Sequence, residues 1–234
     1  WRLPQAALLA ARAAPLFVGQ QTFDGRRVVA VDGPRVSILD VASEQELAPA
    51  LVHPHNVDVA ELSFDGRWLV TVAGRTLRVF DAASAVMHGQ PIVLPATPLR
   101  VELAKSAPLL LLTTGEQVDG KFVERLHAVD LEQPRLRTIA APLPQYLSIF
   151  RVDPRGRYLL VGPDQDRRLD IVDLGGSPAC AALAPENANG YSDVAISDSG
   201  DVAWVHLSTG RRRAAVLRWD LSDCSATTVA EGAH

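Results

Sequence analysis

Short apolar runs alternate with polar turns along the whole chain. In the segment from Phe64 to Ser84, the turn FDGR precedes the run WLVTV, and the turn AGR precedes the run TLRVF. Runs of this length, rich in valine, leucine and aromatic residues and bounded by glycine or aspartate, predict β-strands. The preceding run VDVAELSF alternates between apolar and polar residues, which is typical of a half-buried strand. The pattern therefore predicts antiparallel strands joined by tight turns.

Two features of this segment recur at regular intervals. The first is the turn, which carries a glycine at Gly25, Gly66, Gly156 and Gly200 and takes the form SAPLL in the third unit. The second is an apolar run that closes on an aspartate. The closing residues are 41, 49, 43 and 47 residues apart: Asp40, Asp81, Asp130, Asp173 and Asp220. Four short strands in a unit of about 40–45 residues are the signature of a propeller blade.

The units predict an all-β fold, a β-propeller of about five four-stranded blades. We place these blades at approximately residues 17–56, 57–98, 99–146, 147–190 and 191–234. Residues 1–16 are rich in helix formers and predict a short helix or a strand that closes the ring. Five units suffice either for a small closed ring or for part of a larger one.

The stretch HPHNVDVAELSFDGRWLVTVAGRTLRVFDAAS resembles a degenerate bacterial WD repeat. It has a histidine-led loop, a Phe-Asp-Gly-Arg turn, and Phe80-Asp81 where the family has Trp-Asp; Trp219-Asp220 keeps the family dipeptide. The resemblance covers nearly the whole chain, and it implies a domain that binds rather than catalyses. In bacteria such repeats often form the C-terminal sensory or scaffolding part of transmembrane Ser/Thr kinases and signalling ATPases. The stretch from Gly89 to Glu116 is similar to the linking stretches between blades in those kinases.

Composition narrows the class of partner. The net charge of -4 gives no indication of nucleic-acid binding, and no apolar run is long enough for a membrane helix. The sequence begins with Trp1 rather than Met, and we expect it to be a domain of a longer protein. Its location would follow that parent: extracytoplasmic for the C-terminal domain of a transmembrane kinase, and cytoplasmic otherwise. We expect a protein or peptide partner, and no cofactor.

The turns between second and third strands are rich in arginine, although the protein as a whole is acidic. In a propeller these turns collect on one face of the ring, so we predict an anionic-ligand site there. The candidate residues are Arg35, Arg75, Arg167, Arg168, Arg211, Arg212 and Arg213. Arginine matches carboxylate and phosphate groups with two parallel hydrogen bonds. The alternative is that these arginines are solvated or pair with acidic residues in their own turns.

Other candidate residues give weaker signals. His53 and His55 are too few for a zinc site, which needs three or four ligands, so we predict no metal site. The acidic and amide residues of the loop 185–193 lack the spacing of a calcium-binding loop, and a turn between blades is expected there. Cys180 and Cys224 occupy similar places in neighbouring units; two small unpaired cysteines, buried or half-buried, are the default expectation, and a disulfide is the alternative.

A propeller enzyme of the lactonase type is the alternative function. Turns such as DPRGRYLLVG and SDSGDVAWV resemble those of bacterial 6-phosphogluconolactonase-type proteins. Such an enzyme needs polar residues that converge on the central channel, often around a metal. The candidates from the first strands and their flanks are Asp58, Glu61, Glu102, Arg151 and Asp153. The sequence contains no nucleophile elbow, HExxH motif or phosphate-binding loop.

Overall fold

The computed structural model describes the backbone of residues 17–22, 24–140, 143, 147–163, 168–175, 180–183, 190–208 and 213–233. Residues 1–16, for which a helix or a closing strand was predicted, lie outside this part of the chain. Within it every regular element is a β-strand. No helix of the described ranges is long and apolar enough to cross a membrane.

The strands form five antiparallel sheets in chain order, each built from consecutive strands. The first sheet contains β1 (Phe17–Gln21), β2 (Arg27–Asp32), β3 (Arg35–Asp40) and β4 (Leu51–Val52). The second contains β5 (Val59–Leu62), β6 (Trp68–Ala73), β7 (Thr76–Asp81), β8 (Val86–Met87) and β9 (Ile92–Val93). Both β8 and β9 pair with β7, so they share the position of a fourth strand. The all-β prediction with four-stranded units is confirmed.

The remaining sheets each have four strands in sequential order. The third contains β10 (Pro98–Leu103), β11 (Leu109–Val118), β12 (Lys121–Asp130) and β13 (Arg135–Ile139). The fourth contains β14 (Leu147–Val152), β15 (Tyr158–Pro163), β16 (Arg168–Asp173) and β17 (Cys180–Leu183). The fifth contains β18 (Gly190–Ile196), β19 (Val202–Ser208), β20 (Arg213–Asp220) and β21 (Ala226–Ala233). First strands of neighbouring sheets contact each other, as β10 does with β14 and β14 with β18, so these strands are the innermost.

Each pair of neighbouring sheets encloses its own apolar core. Between the second and third sheets, for example, Val70 and Val72 pack with Leu110 and Leu112. Similar cores fill the other three spaces between consecutive sheets. In the first four sheets the second strands contribute most because their side chains are buried on both faces, and all six residues of β6 are buried. Burial of both faces explains why these strands are continuous apolar runs in the sequence.

The last sheet differs from the others on the face that points away from the fourth sheet. Trp204 holds the position in β19 that Val70, Leu111 and Leu160 hold in β6, β11 and β15, as the strand register shows. Those three side chains are 0% exposed, whereas Trp204 is 40% exposed. The outer face of the last sheet is therefore less completely covered at this point than its counterparts.

A repeated turn joins the first and second strands. In the second sheet the Ser63 hydroxyl accepts the Trp68 N–H at 2.8 Å and donates to Asp65 at 2.6 Å. Thr22 and Ser197 each accept a backbone N–H from five residues ahead in the same way. Gly66 completes the turn with φ +72°, which favours glycine, and an added Cβ would lie 3.0 Å from Thr22 of the preceding sheet. The turn thus packs consecutive blades together as well as reversing the chain.

Candidate functional site

Glu61, Glu102 and Arg151 occupy equivalent positions in the first strands of three consecutive sheets. Each is paired in register with the buried residue of the second strand that faces the next sheet: Val70, Leu111 and Leu160. Because side chains alternate along a strand, all three lie on the face turned toward the next first strand. The equivalent position in β18 is Ala195, which pairs with Trp204. The repeat therefore aligns two acids, one base and a small residue around the innermost part of the molecule.

Glu102 connects the third and fourth sheets. Its Oε1 accepts the Val152 N–H at 2.9 Å, and its Oε2 lies 3.4 Å from Nη1 of Arg151. The Glu102 side chain is only 18% exposed, whereas that of Arg151 is 55% exposed. Burial raises the pKa of Glu102, while the Val152 N–H and the charges of Arg151 and Lys105 act in the opposite direction. Glu102 consequently holds the exposed Arg151 in place.

Glu61 is the most perturbed acid among the described residues. Burial, and secondarily the negative charge of Glu102, raise the pKa of Glu61 to about 7. Its Oε2 is buried and has no hydrogen-bond partner among the described residues. Glu61 therefore changes its ionisation near neutral pH, beside a carboxyl that is already engaged.

A cavity of about 570 Å³ opens next to these residues, at the end of the strands where the turns between first and second strands lie. We call it the axial cavity. Its lining comes from the innermost strands of three sheets and from the turns that follow β5, β10 and β14. The lining residues are Phe64, Val101, Glu102, Leu103, Ala104, Lys105, Arg151, Val152, Pro154, Val194, Ala195 and Ile196. Nine of these twelve residues have apolar side chains and three are charged, and a concave site of this volume with a few converging charged groups is typical of ligand sites.

Lys105 and Phe64 form one side of this cavity. The Lys105 ammonium lies 5.5 Å from the centre of the Phe64 ring, within the range of a cation–π interaction. Lys105 belongs to the turn after β10, and Phe64 to the equivalent turn after β5. Two blades thus supply a cation and an aromatic surface to the same opening.

The arginine-rich turns lie at the opposite ends of the strands. Arg35 starts β3, and its Nη2 is 2.7 Å from Glu46 Oε1; Arg75 Nε donates to the Leu94 carbonyl at 2.9 Å. Arg168 starts β16 and Arg213 starts β20, but their side chains are outside the described part of the structure. Arg167, Arg211 and Arg212 lie outside it altogether. The anionic-ligand site at these turns stays a prediction, and Arg35 and Arg75, whose side chains the structure describes, already have partners.

Two of the residues considered for the channel have structural roles in turns. Asp58 is exposed and accepts the Gly74 N–H at 2.6 Å. Asp153 is 1% exposed and accepts the N–H groups of Arg155, Arg157 and Tyr158, so it replaces the hydroxyl of Ser63 and Ser197 in the repeated turn. Neither carboxylate lines the axial cavity.

The two histidines considered as metal ligands differ in environment. His53 is buried edge-on against Phe80 with ring centres 5.9 Å apart, and burial lowers its pKa. His55 is exposed. No group of three or more potential metal ligands occurs among the residues that the structure describes. Within the loop 185–193, residues 185–189 lie outside that part of the chain.

The cysteine prediction requires a correction. Cys224 is exposed and disulfide-bonded, and Cys180 is the only other cysteine of the sequence. The default expectation of two small unpaired cysteines is therefore wrong. Sequence spacing alone did not decide this, because two cysteines in neighbouring repeats can be either distant or adjacent, depending on how the turns pack.

Sequence reasoning missed Lys105 and Phe64 as site residues. Lys105 is one of only two lysines among the 23 lysine and arginine residues of the chain. It follows β10 in the unit whose turn lacks the repeated glycine. The departure of this turn from the repeated pattern is the signal that could have identified Lys105.

Comparison with known proteins supports the fold. No protein-family model and no curated protein sequence matches the chain. Among solved structures, the chain is similar to the β-propeller domain of Cps50 (Swd1) from Myceliophteria thermophila, with 14% identity and a TM-score of 0.63 over 92% of this chain and 74% of that one. It is also similar to hydrazine synthase from Kuenenia stuttgartiensis, with 12% identity and a TM-score of 0.57 over 91% and 64% of the two chains.

A third similar structure is a functionally unknown protein from Desulfotomaculum acetoxidans, with 13% identity and a TM-score of 0.63 over 95% and 71% of the two chains. The chain thus spans between about two thirds and three quarters of each of these structures. Identities this low establish architecture rather than activity. Together with the five consecutive antiparallel sheets, they show that the chain has a β-propeller fold.

Proposed function

We propose that this domain is a non-catalytic binding propeller that receives a protein or peptide partner at the axial cavity. The axial cavity is the observation that carries the proposal, because four blades contribute to one concave opening of about 570 Å³. The similarity to the Swd1 propeller supports a role in binding at the level of fold.

Glu102 and Arg151 favour binding over catalysis. A catalytic carboxylate needs access to a substrate proton, whereas Glu102 is only 18% exposed and engaged by a backbone N–H and a guanidinium. The resemblance of the repeats to bacterial kinase propellers supports a more specific proposal. In that proposal the domain is a sensor or scaffold module of a larger bacterial signalling protein.

Filling the axial cavity tests the proposal. Ala195 is exposed on β18 and lines the cavity, so Ala195→Trp should occlude it without removing a charge. Thr227→Trp on the exposed outer strand β21 is the matched control. Wild type and both variants are heated in the presence of a panel of peptides with acidic, basic and apolar side chains.

A peptide at 100 times its dissociation constant stabilises the folded state by about 2.7 kcal/mol, or about 5–10 °C for a domain of this size. We expect this shift in the wild type and in Thr227→Trp, and its loss in Ala195→Trp. An equal shift in all three proteins would contradict binding at the axial cavity.

A further inference from the structure

The charges around the axial cavity do not cancel. Among its described lining residues, Lys105 and Arg151 are cations and Glu102 is the one acid, so these three side chains carry one net positive charge when all are ionised. Among the described residues no carboxylate lies within ion-pair distance of Lys105. The opening therefore has a cation available for a ligand.

Arg151 is positioned before any ligand arrives. Its Nη1 donates to its own neighbour, the Phe150 carbonyl, at 3.0 Å and lies 3.4 Å from Glu102. Glu102 is itself fixed by the Val152 N–H. A guanidinium held in this way loses little conformational freedom on binding, and its planar donors suit a carboxylate.

The other described lining residues have apolar side chains. Val101, Pro154 and Ile196 line the same cavity as the two cations, and the Lys105 ammonium lies over the Phe64 ring. Such a wall favours a ligand whose negative charge is carried on an apolar body, because small hydrated anions gain nothing from apolar contacts. Peptide side chains and chain ends with a carboxylate have this character.

We propose that the axial cavity binds a carboxylate group of a peptide partner between Lys105 and Arg151. This inference rests on the proposed function and names the ligand chemistry of the same site. It places the anion site at the end of the propeller opposite the arginine-rich turns.

Isothermal titration of the whole domain with triglutamate, succinate and inorganic phosphate tests the inference. The variants are Lys105→Gln, Arg151→Gln and the charge-conserving Lys105→Arg. The control is Arg137→Gln, which removes an exposed arginine from outer strand β13. Thermal unfolding of each variant without ligand reports folding separately.

We expect triglutamate to bind the wild type more tightly than phosphate, and both glutamine variants to bind it roughly tenfold or more weakly. Lys105→Arg keeps the charge and should bind triglutamate more tightly than Lys105→Gln, whereas Arg137→Gln should retain wild-type affinity. High salt should weaken binding. Succinate binding as well as triglutamate would indicate a free acid rather than a peptide and would overturn the peptide assignment.

Two further outcomes separate this inference from the proposed function. If Ala195→Trp abolishes binding of a panel peptide while Lys105→Gln and Arg151→Gln leave it unchanged, the cavity binds peptides but not through a carboxylate. If Ala195→Trp leaves the binding of both the panel peptide and triglutamate intact, both proposals are wrong.

Discussion

At the scale of single residues, equivalent positions of the repeat carry side chains with different chemical properties. Glu61, Glu102 and Arg151 share one place in three blades, yet each has a different environment. Glu102 is held by a backbone N–H and an arginine, whereas one oxygen of Glu61 has no described partner. The cost of burying Glu61 as an anion accounts for its perturbed ionisation.

Glu61 makes the stability of the domain depend on pH. Folding raises its pKa from the usual 4.5 to about 7, so between these values the folded state holds a proton that the unfolded chain has lost. The stability that protonated Glu61 contributes to folding is fully present below pH 4.5. It is lost as the pH rises through 7, where Glu61 ionises in the folded state.

The substitution Glu61→Gln should therefore increase the free energy of unfolding relative to wild type as the pH rises from 4.5 to 8. We expect a difference of about 2 kcal/mol, after allowance for the partial exposure of the side chain. Urea unfolding at several pH values measures it. Glu132→Gln, at an exposed carboxyl, is the control. A pH-independent difference between wild type and Glu61→Gln would contradict a buried ionisable Glu61.

At the scale of elements, the sequence predicted strands and turns well because the signals are local. The closing aspartates fold the chain back through side-chain bonds to the next residues: Asp81 Oδ1, for example, accepts both the N–H and the hydroxyl of Ser84. Those bonds lower the pKa of Asp81. Such contacts span three residues, so the residues that make them recur at the same place in each unit of the sequence.

Non-local features were not predictable in this way. The axial cavity takes two or three residues from each of three first strands whose equivalent positions are more than 40 residues apart, and their alignment depends on register. Glu102 and Arg151 meet because β10 and β14 are adjacent, which no sequence motif records. The division of the second sheet's outer edge into β8 and β9 also depends on pairing with β7 rather than on composition.

The turn after β14 offers a test at this scale. In Asp153→Ala, the backbone N–H groups of Arg155, Arg157 and Tyr158 lose a buried acceptor. We expect a loss of about 3 kcal/mol in the free energy of unfolding. Asp153→Ser copies the residue found in the equivalent turns and should recover part of that loss. Equal stabilities of Asp153→Ala and wild type in chemical denaturation would show that this carboxylate does not hold the turn.

At the scale of the whole molecule, the stability of the domain is divided among successive interfaces between sheets. Four apolar cores each join one blade to the next, so cooperativity depends on every interface. The Cys224 disulfide adds a covalent constraint. Cys180 and Cys224 are 44 residues apart; Cys180 begins β17 of the fourth sheet, and Cys224 lies between β20 and β21 of the fifth.

Reduction should therefore destabilise the domain. Closing a loop of this length stabilises a folded chain by about 4 kcal/mol in the chain-entropy estimate. We expect a reductant to lower the melting temperature of the wild type. Cys224→Ser should melt at that lower temperature with or without reductant. An unchanged melting temperature on reduction would mean that the disulfide contributes nothing to stability.

The central claim is that the axial cavity is the binding site, and a fluorophore placed at its wall tests this most directly. Ala195→Cys is labelled with an environment-sensitive dye, with Thr227→Cys labelled as the control on the outer strand, and each is titrated with a peptide that raises the melting temperature of the wild type. The account predicts an emission change at position 195 that saturates with the thermal shift, and none at position 227. A thermal shift without any change at position 195 would contradict it.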